Sequence, residues 1–233
     1  MVQRLRFRFR LTPAGASLGH RDIANAWVSA LDGAGFAVAR SQSKRPAPRV
    51  SLAAPLPQDT TSDWELADVF LDEPAPPSCV LQAVSTRLPP GLEVVSVEEV
   101  GASAPSLQSQ VRWAEYEADV PTAGLSREEV EAAIDVFLGR DSVPMEYQRE
   151  NKVRRYDIRP LVLDIRPIPD AEGCHRLLLR LRAEQDMTAR TDQTLLALGL
   201  PEPVRVHRLR LQLDEIPAVV SAFRRQGEPE DVG

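Results

Sequence analysis

The sequence predicts an α+β fold: two tandem ferredoxin-like halves, each βαββαβ, with antiparallel sheets, helices on one face and inserted hairpins. Three observations predict it. Arg4-Leu5-Arg6-Phe7-Arg8-Phe9-Arg10-Leu11 alternates with period two, so Leu5, Phe7, Phe9 and Leu11 share one side of an extended chain and four arginines share the other. The order strand, helix, strand pair, helix, strand can be read twice along the 233 residues. A Gly/Ala/Ser/Pro-rich stretch from Gly101 to Ser109 separates the two readings.

In the first half, Thr12-Pro13-Ala14-Gly15 is a turn after the opening strand. A helix then runs from about His20, with Ile23, Trp27, Ala30, Leu31 and Ala34 as its apolar stripe and Gly33 and Gly35 as its stop. Phe36–Ala39 and Val50–Ala54 read as short strands flanking a basic, proline-bent loop. Asp63–Leu71 extends again, with Glu65, Ala67, Val69 and Leu71 on one side and Asp68 on the other, facing the arginines of the first strand. Ser78 is the expected N-cap of a helix with a Val80, Leu81, Val84, Leu88 stripe. Glu93–Val97 closes the half with Val95 and Val97 inward.

In the second half, Gln110–Val120 is a strand with Ala114, Tyr116, Ala118 and Val120 together. Ser126-Arg127-Glu128-Glu129 is a capping box before a Val130, Ile134, Phe137, Leu138 stripe. A hairpin follows, its arms at 143–148 and 153–157 about Glu150-Asn151. Strands come next around Leu161–Arg166 and His175–Arg182, then a short helix capped by Thr191 or Asp192. The closing strand Val204–Leu213 changes phase near His207, which predicts a bulge. The expected domains are 1–103 and 108–213, with a terminal helix and disordered tail over 214–233.

The formal charge of −6 excludes a general polycation. Lys44 and Lys152 are the lysines, so the 28 basic residues include 26 arginines, the residue suited to planar contact with carboxylate or phosphate. Cys79 and Cys174 are isolated, so neither a zinc ribbon nor an iron–sulfur cluster is expected, and no cofactor or metal is assigned. The N-terminus carries charge where a signal peptide needs an apolar run, and no apolar stretch approaches membrane length, so a cytoplasmic protein with no membrane partner is expected.

Three basic sets are candidates for phosphate contact. They are Arg6 and Arg8 on the first strand, Arg45 and Arg49 in the bent loop, and Lys152, Arg154 and Arg155 in the second-half hairpin. His20, at a helix start, is the candidate general base for removing a 2′-hydroxyl proton. No P-loop, GxGxxG or GxSxG motif occurs.

Arg4–Arg10, Ser17–Ile23, Ala39-Arg40-Ser41-Gln42, Pro48–Leu52, Pro55-Leu56-Pro57, Ala104–Leu107, Ala114-Glu115-Tyr116, Val153–Pro160 and Ala189-Arg190 carry a resemblance, in this order, to an uncharacterised bacterial family. That family is called radical-SAM-linked or radical-SAM-associated. Two features depart from its pattern: Ser43-Lys44-Arg45-Pro46-Ala47-Pro48 replaces a Gly-Phe-Asn-Pro-His-Pro-like stretch, and a family Gly is replaced near Gln58. The resemblance implies a radical SAM protein as partner and an RNA setting. The expected function is a non-catalytic RNA-binding accessory module acting with a radical SAM enzyme in RNA modification or processing. The alternatives are a metal-independent endoribonuclease using His20 and a protein-interaction scaffold for the radical SAM partner.

Overall fold

The computed structural model describes residues 2–149 and 152–214, with side chains at all of these except 147–149, 152 and 154. The opening alternation forms β1 (Gln3–Leu11), whose Leu5, Phe7, Phe9 and Leu11 are buried. They pack on the stripe of α1 (His20–Gly33), where Trp27 meets Phe7 at 4.7 Å and Phe9 at 5.4 Å between ring centroids. The turn after β1 touches the backbone at Gly91 so closely that a Cβ on Gly91 would lie 2.1 Å from the Gly15 nitrogen. Glycine is required there twice over, since Gly91 also has φ +96°.

The rest of the half comprises β2 (Val50–Leu52), β3 (Thr60–Leu71), α2 (Pro77–Ser85) and β4 (Leu92–Val100). Its strands lie in the order β4-β1-β3-β2, each pair antiparallel. Ala67, Val69 and Leu71 join the core under α1 and α2. Val94 and Val97, not Val95 and Val97, pack against that core, because the β1–β4 register shifts between Arg8 and Phe9. The N-cap of α2 is Pro76, not Ser78, since proline at the first helical position starts the helix earlier. Phe36–Ala39 forms no named strand; Val38 and Arg40 make isolated bridges to Leu71 and Pro48.

The stretch expected as a linker is folded onto the sheet. It contains α3 (Leu107–Gln110), with Leu107 and Gln110 buried. The second half comprises β5 (Val111–Pro121), α4 (Arg127–Leu138), β6 (Pro144–Arg149), β7 (Lys152–Asp157), β8 (Val162–Ala171), β9 (Cys174–Glu184), β10 (Met187–Thr188), α5 (Thr191–Ala197) and β11 (Arg205–Leu213). The capping box of α4 is formed: Ser126 Oγ accepts from the Glu129 amide at 3.2 Å, and Glu129 accepts from the Ser126 amide at 2.7 Å. Arg190, one residue before the expected cap, is the N-cap of α5. The phase change in β11 is real and lies between Arg208 and Arg210, with a second shift between Gln212 and Leu213. The hairpin turn Glu150-Asn151 and the expected terminal helix and tail beyond Asp214 lie outside the described residues.

β11, β5, β9 and β8 are antiparallel neighbours in that order. The two halves do not form two sheets. β11 pairs in parallel with β3 through Val206–Thr60, His207–Thr61 and Arg208–Ser62, giving one nine-stranded, mostly antiparallel sheet. The long β3 makes this possible, because residues 67–69 pair with β2 and residues 60–62 are left for β11. The result is a mixed α+β fold with five α-helices among the described residues.

Candidate functional site

The arginine face of β1 is answered from within. Arg6 sits opposite Asp68 on β3, and the two carboxylate oxygens of Asp68 serve both Arg4 and Arg6, at 2.9 Å from Arg4 Nε and 2.8 Å from Arg6 Nε. Arg4 also donates to the carbonyls of Ala104 and Pro105, so the 101–110 segment lies over the cluster. Arg6 is 6% exposed. Its assignment to an anion-binding surface is therefore corrected: one carboxylate and a covering segment remove it from solvent. Arg10 reaches Asp63 at 3.8 Å, an exposed pair of little energetic weight. Arg8 has no carboxylate partner among the described residues and stacks 4.3 Å from the Trp64 ring centroid.

The second half is balanced in the same way. Across β9, β5 and β11, Arg176 meets Glu117 and Asp119, Arg180 meets Glu115, and Arg205 meets Asp119. Arg155, from the β6–β7 hairpin, meets Glu146 at 2.5 Å, with both side chains exposed. The side chains of Lys152 and Arg154 lie outside the described residues.

The surplus charge lies elsewhere. Residues 33–58 contain Arg40, Lys44, Arg45 and Arg49 and no Asp or Glu. The backbone there forms a small hairpin. The Ser41 amide donates to Ala47 O and the Arg49 amide to Ala39 O, while the Phe70 backbone clasps the base by donating to Arg49 O and accepting from the Ala39 amide. Ser41 Oγ accepts from the Ala47 amide at 3.1 Å and contacts Ser43 Oγ. Arg40, Lys44 and Arg45 are exposed. Arg49 lies 3.6 Å from the Phe70 ring centroid. Among the described residues none of these four cations has a carboxylate partner. Arg45 and Arg49 thus stay together as expected, and Arg40 joins them. Its contribution was legible as the missing acid in the whole segment rather than as a motif.

The hairpin runs into a cleft of about 760 Å³ between the two halves. One wall is the chain from Leu52 to Gln58; Glu184, Gln185, Thr188 and Arg190 face it from the second half. His20 and Tyr116 also line it. Five stretches that carry the family resemblance, 17–23, 48–52, 55–57, 114–116 and 189–190, therefore contribute to one cleft. At its back, Arg208 is fully buried and spends every N–H. Nη1 donates to both Glu65 oxygens at 2.9 and 3.0 Å, Nη2 to Pro55 O and Tyr116 Oη, and Nε to Tyr116 Oη. Burial opposes its charge, but Glu65 and then Tyr116 more than offset this, so the guanidinium pKa stays above its ordinary value. Sequence reading missed this cluster, because its members are far apart in the chain and are united by β11 pairing with both β3 and β5.

His20 is exposed at the first position of α1, and partial burial of its ring lowers its pKa below the ordinary value, which favours the neutral form. No acid orients it among the described residues. His175 is different. It contacts Leu125 O at 3.0 Å and Asp170 at 3.2 Å, and these partners, the carbonyl first, raise its pKa. His207 bridges Thr61 and Asp63 across the β3–β11 seam. Among the described residues no helix is long and apolar enough to cross a membrane.

A mixed α+β fold of this kind has solved counterparts. A chain of a Cbf5-Nop10-Gar1 complex matches with a TM-score of 0.51 and 10% identity, covering 91% of this chain and 50% of its own. A chain of the archaeal box H/ACA sRNP Nop10-Cbf5 complex matches with a TM-score of 0.47 and 10% identity, over 91% of this chain and 49% of that one. A chain of an H/ACA RNP bound to a substrate RNA containing 2'-deoxyuridine matches at 0.45 and 11%, over 90% and 49%. The chain thus spans about half the length of these counterparts. No curated protein matches it. The chain belongs to a family of uncharacterized proteins conserved in bacteria (DUF2344), whose model matches residues 4–196.

Proposed function

We propose that the protein is a non-catalytic module that binds RNA through the basic hairpin of residues 38–50, with Arg45 and Arg49, and through Arg8 stacked on Trp64. The acid-free run from 33 to 58 carries the reading: it concentrates unanswered cations in a molecule whose other arginines are largely paired or buried. Stacking on an aromatic ring holds a guanidinium in place while its N–H edge stays available to phosphate. Phe70 and Trp64 are six residues apart on β3, roughly 20 Å along a strand, so a bound strand would span several nucleotides. Filter binding tests the reading. Affinity for single-stranded RNA falls steeply with salt, and no binding at low salt removes the proposal.

The resemblance to the radical-SAM-linked family supports a radical SAM enzyme as the cytoplasmic partner. A pull-down repeated with nuclease separates an RNA-dependent association from a scaffold that ignores RNA. The recurrence of β4-β1-β3-β2 as β11-β5-β9-β8 supports reading the halves 1–103 and 108–213 as two ferredoxin-like domains fused through one sheet. The nuclease alternative rests on His20 lining the cleft in its neutral form. RNA cleavage lost in His20→Ala would establish it in place of the non-catalytic reading.

A further inference from the structure

We infer that the cleft between the halves is a binding site for an uncharged nucleobase. Its volume, about 760 Å³, lies in the range of small-molecule sites. The charges in its lining decide the ligand class. Arg208 is held by Glu65, Arg190 by Asp192, and Glu184 by Arg182. Partial burial disfavours the charged form of His20. A multiply charged ligand would leave water and meet side-chain charges that already have partners within the protein, at a desolvation cost. A neutral ligand meets no such cost.

Several amide and hydroxyl groups in the lining keep unspent hydrogen-bonding capacity. Gln58 and Gln185 make no side-chain hydrogen bond among the described residues, and Gln108 uses only Nε2, on Leu52 O at 2.9 Å. Tyr116 is 5% exposed, and its oxygen accepts twice from Arg208, which leaves its own proton to donate. Each free amide offers a donor and an acceptor in one plane. Beside Gln58, on the same wall, Pro55-Leu56-Pro57 is a low-polarity surface against which a flat ring packs. A flat heterocycle with mixed donors and acceptors along its edge matches this combination of free amides and apolar surface. Such a base comes either from a free nucleoside or from a strand in which one base has left the stack. The hairpin ending at Arg49 is three residues from Leu52, where the cleft wall begins, so a strand held there is within reach.

The test uses the full chain. Binding of uridine and adenosine is followed by ligand-observed NMR, beside ribose 5-phosphate, which carries charge and no base. The inference expects saturable nucleoside binding that ribose 5-phosphate does not displace and that changes less than twofold between 50 and 200 mM salt. Gln108→Leu weakens it at least tenfold, because a half-buried polar partner is removed. Gln58→Ala is exposed and leaves the fold intact; it weakens binding several-fold and guards against a Gln108 variant that does not fold. Displacement by a single-stranded oligonucleotide, but not by its abasic counterpart, makes RNA the source; no displacement makes a free nucleoside the source. Either result supports a nucleobase site. Nucleosides that fail to bind at millimolar concentration, with oligonucleotide affinity unchanged in both variants, overturn it. The nucleoside arm does not involve the hairpin, so a failure there is distinct from a failure of RNA binding by Arg45 and Arg49.

Discussion

The guanidinium of Arg49 lies 3.6 Å from the centre of the Phe70 ring. The same Phe70 clasps the base of the hairpin through its backbone, so one residue fixes both the loop and its cation. A planar guanidinium stacks there; an ammonium retains the charge but not the plane. Arg49→Lys is therefore expected to weaken RNA binding several-fold in filter assays. Arg45→Lys, at an exposed position with no ring partner, should change it by less than twofold. Equal effects would mean that the stack plays no part.

The buried cluster on β1 predicts a different phenotype. Asp68 answers two arginines, Arg4 and Arg6, so Asp68→Ala leaves both guanidiniums uncompensated in the interior. A loss of about 3–5 kcal/mol in urea denaturation is expected, the range for breaking a buried pair from one side. Arg6→Gln should also lower stability while leaving RNA affinity unchanged. An affinity loss in Arg6→Gln without a stability loss would return Arg6 to the binding surface.

This cluster shows where sequence reading succeeds and where it stops. Period-two alternation placed Arg6 and Asp68 face to face, because strand geometry is fixed by the backbone. It did not bury them, because burial comes from residues 104–110, whose composition reads as a linker and whose Leu107 alone signals packing. The continuous sheet was hidden for a related reason. No local pattern in β3 says that residues 60–62 pair with β11 while residues 67–69 pair with β2. The hairpin cations were legible, since a loop without acids keeps its charge whatever the fold around it.

The β3–β11 seam gives a third expectation. Arg208→Met leaves Glu65 buried without its partner, and a loss of about 3–5 kcal/mol is expected by denaturation. Adding Glu65→Leu removes the unpaired charge, so the double variant should recover most of that loss. A double variant less stable than the single one would show that the pair contributes more than mutual compensation.

His175 predicts a pH dependence. Its folded pKa is raised by the Leu125 carbonyl and then Asp170, because the charged ring donates from both nitrogens. A raised folded pKa contributes stability that is fully present below the ordinary value of 6.5 and is lost as pH rises through the folded value. The stability gap between the native protein and His175→Gln, measured in urea, is expected to be larger at pH 5.5 than at pH 8.5. An equal gap at both would mean that the proton is not held.

The most direct measurement is the salt dependence of RNA binding for the native chain and for a variant with Arg40, Lys44, Arg45 and Arg49 all replaced by Gln. Each phosphate contact to single-stranded RNA contributes about 0.7 to the slope of log affinity against log salt. If all four cations touch phosphate, the replacement lowers that slope by about 3 and weakens binding at low salt, with the fold unchanged by circular dichroism. An unchanged slope and affinity in the variant would contradict the assignment of RNA binding to the hairpin.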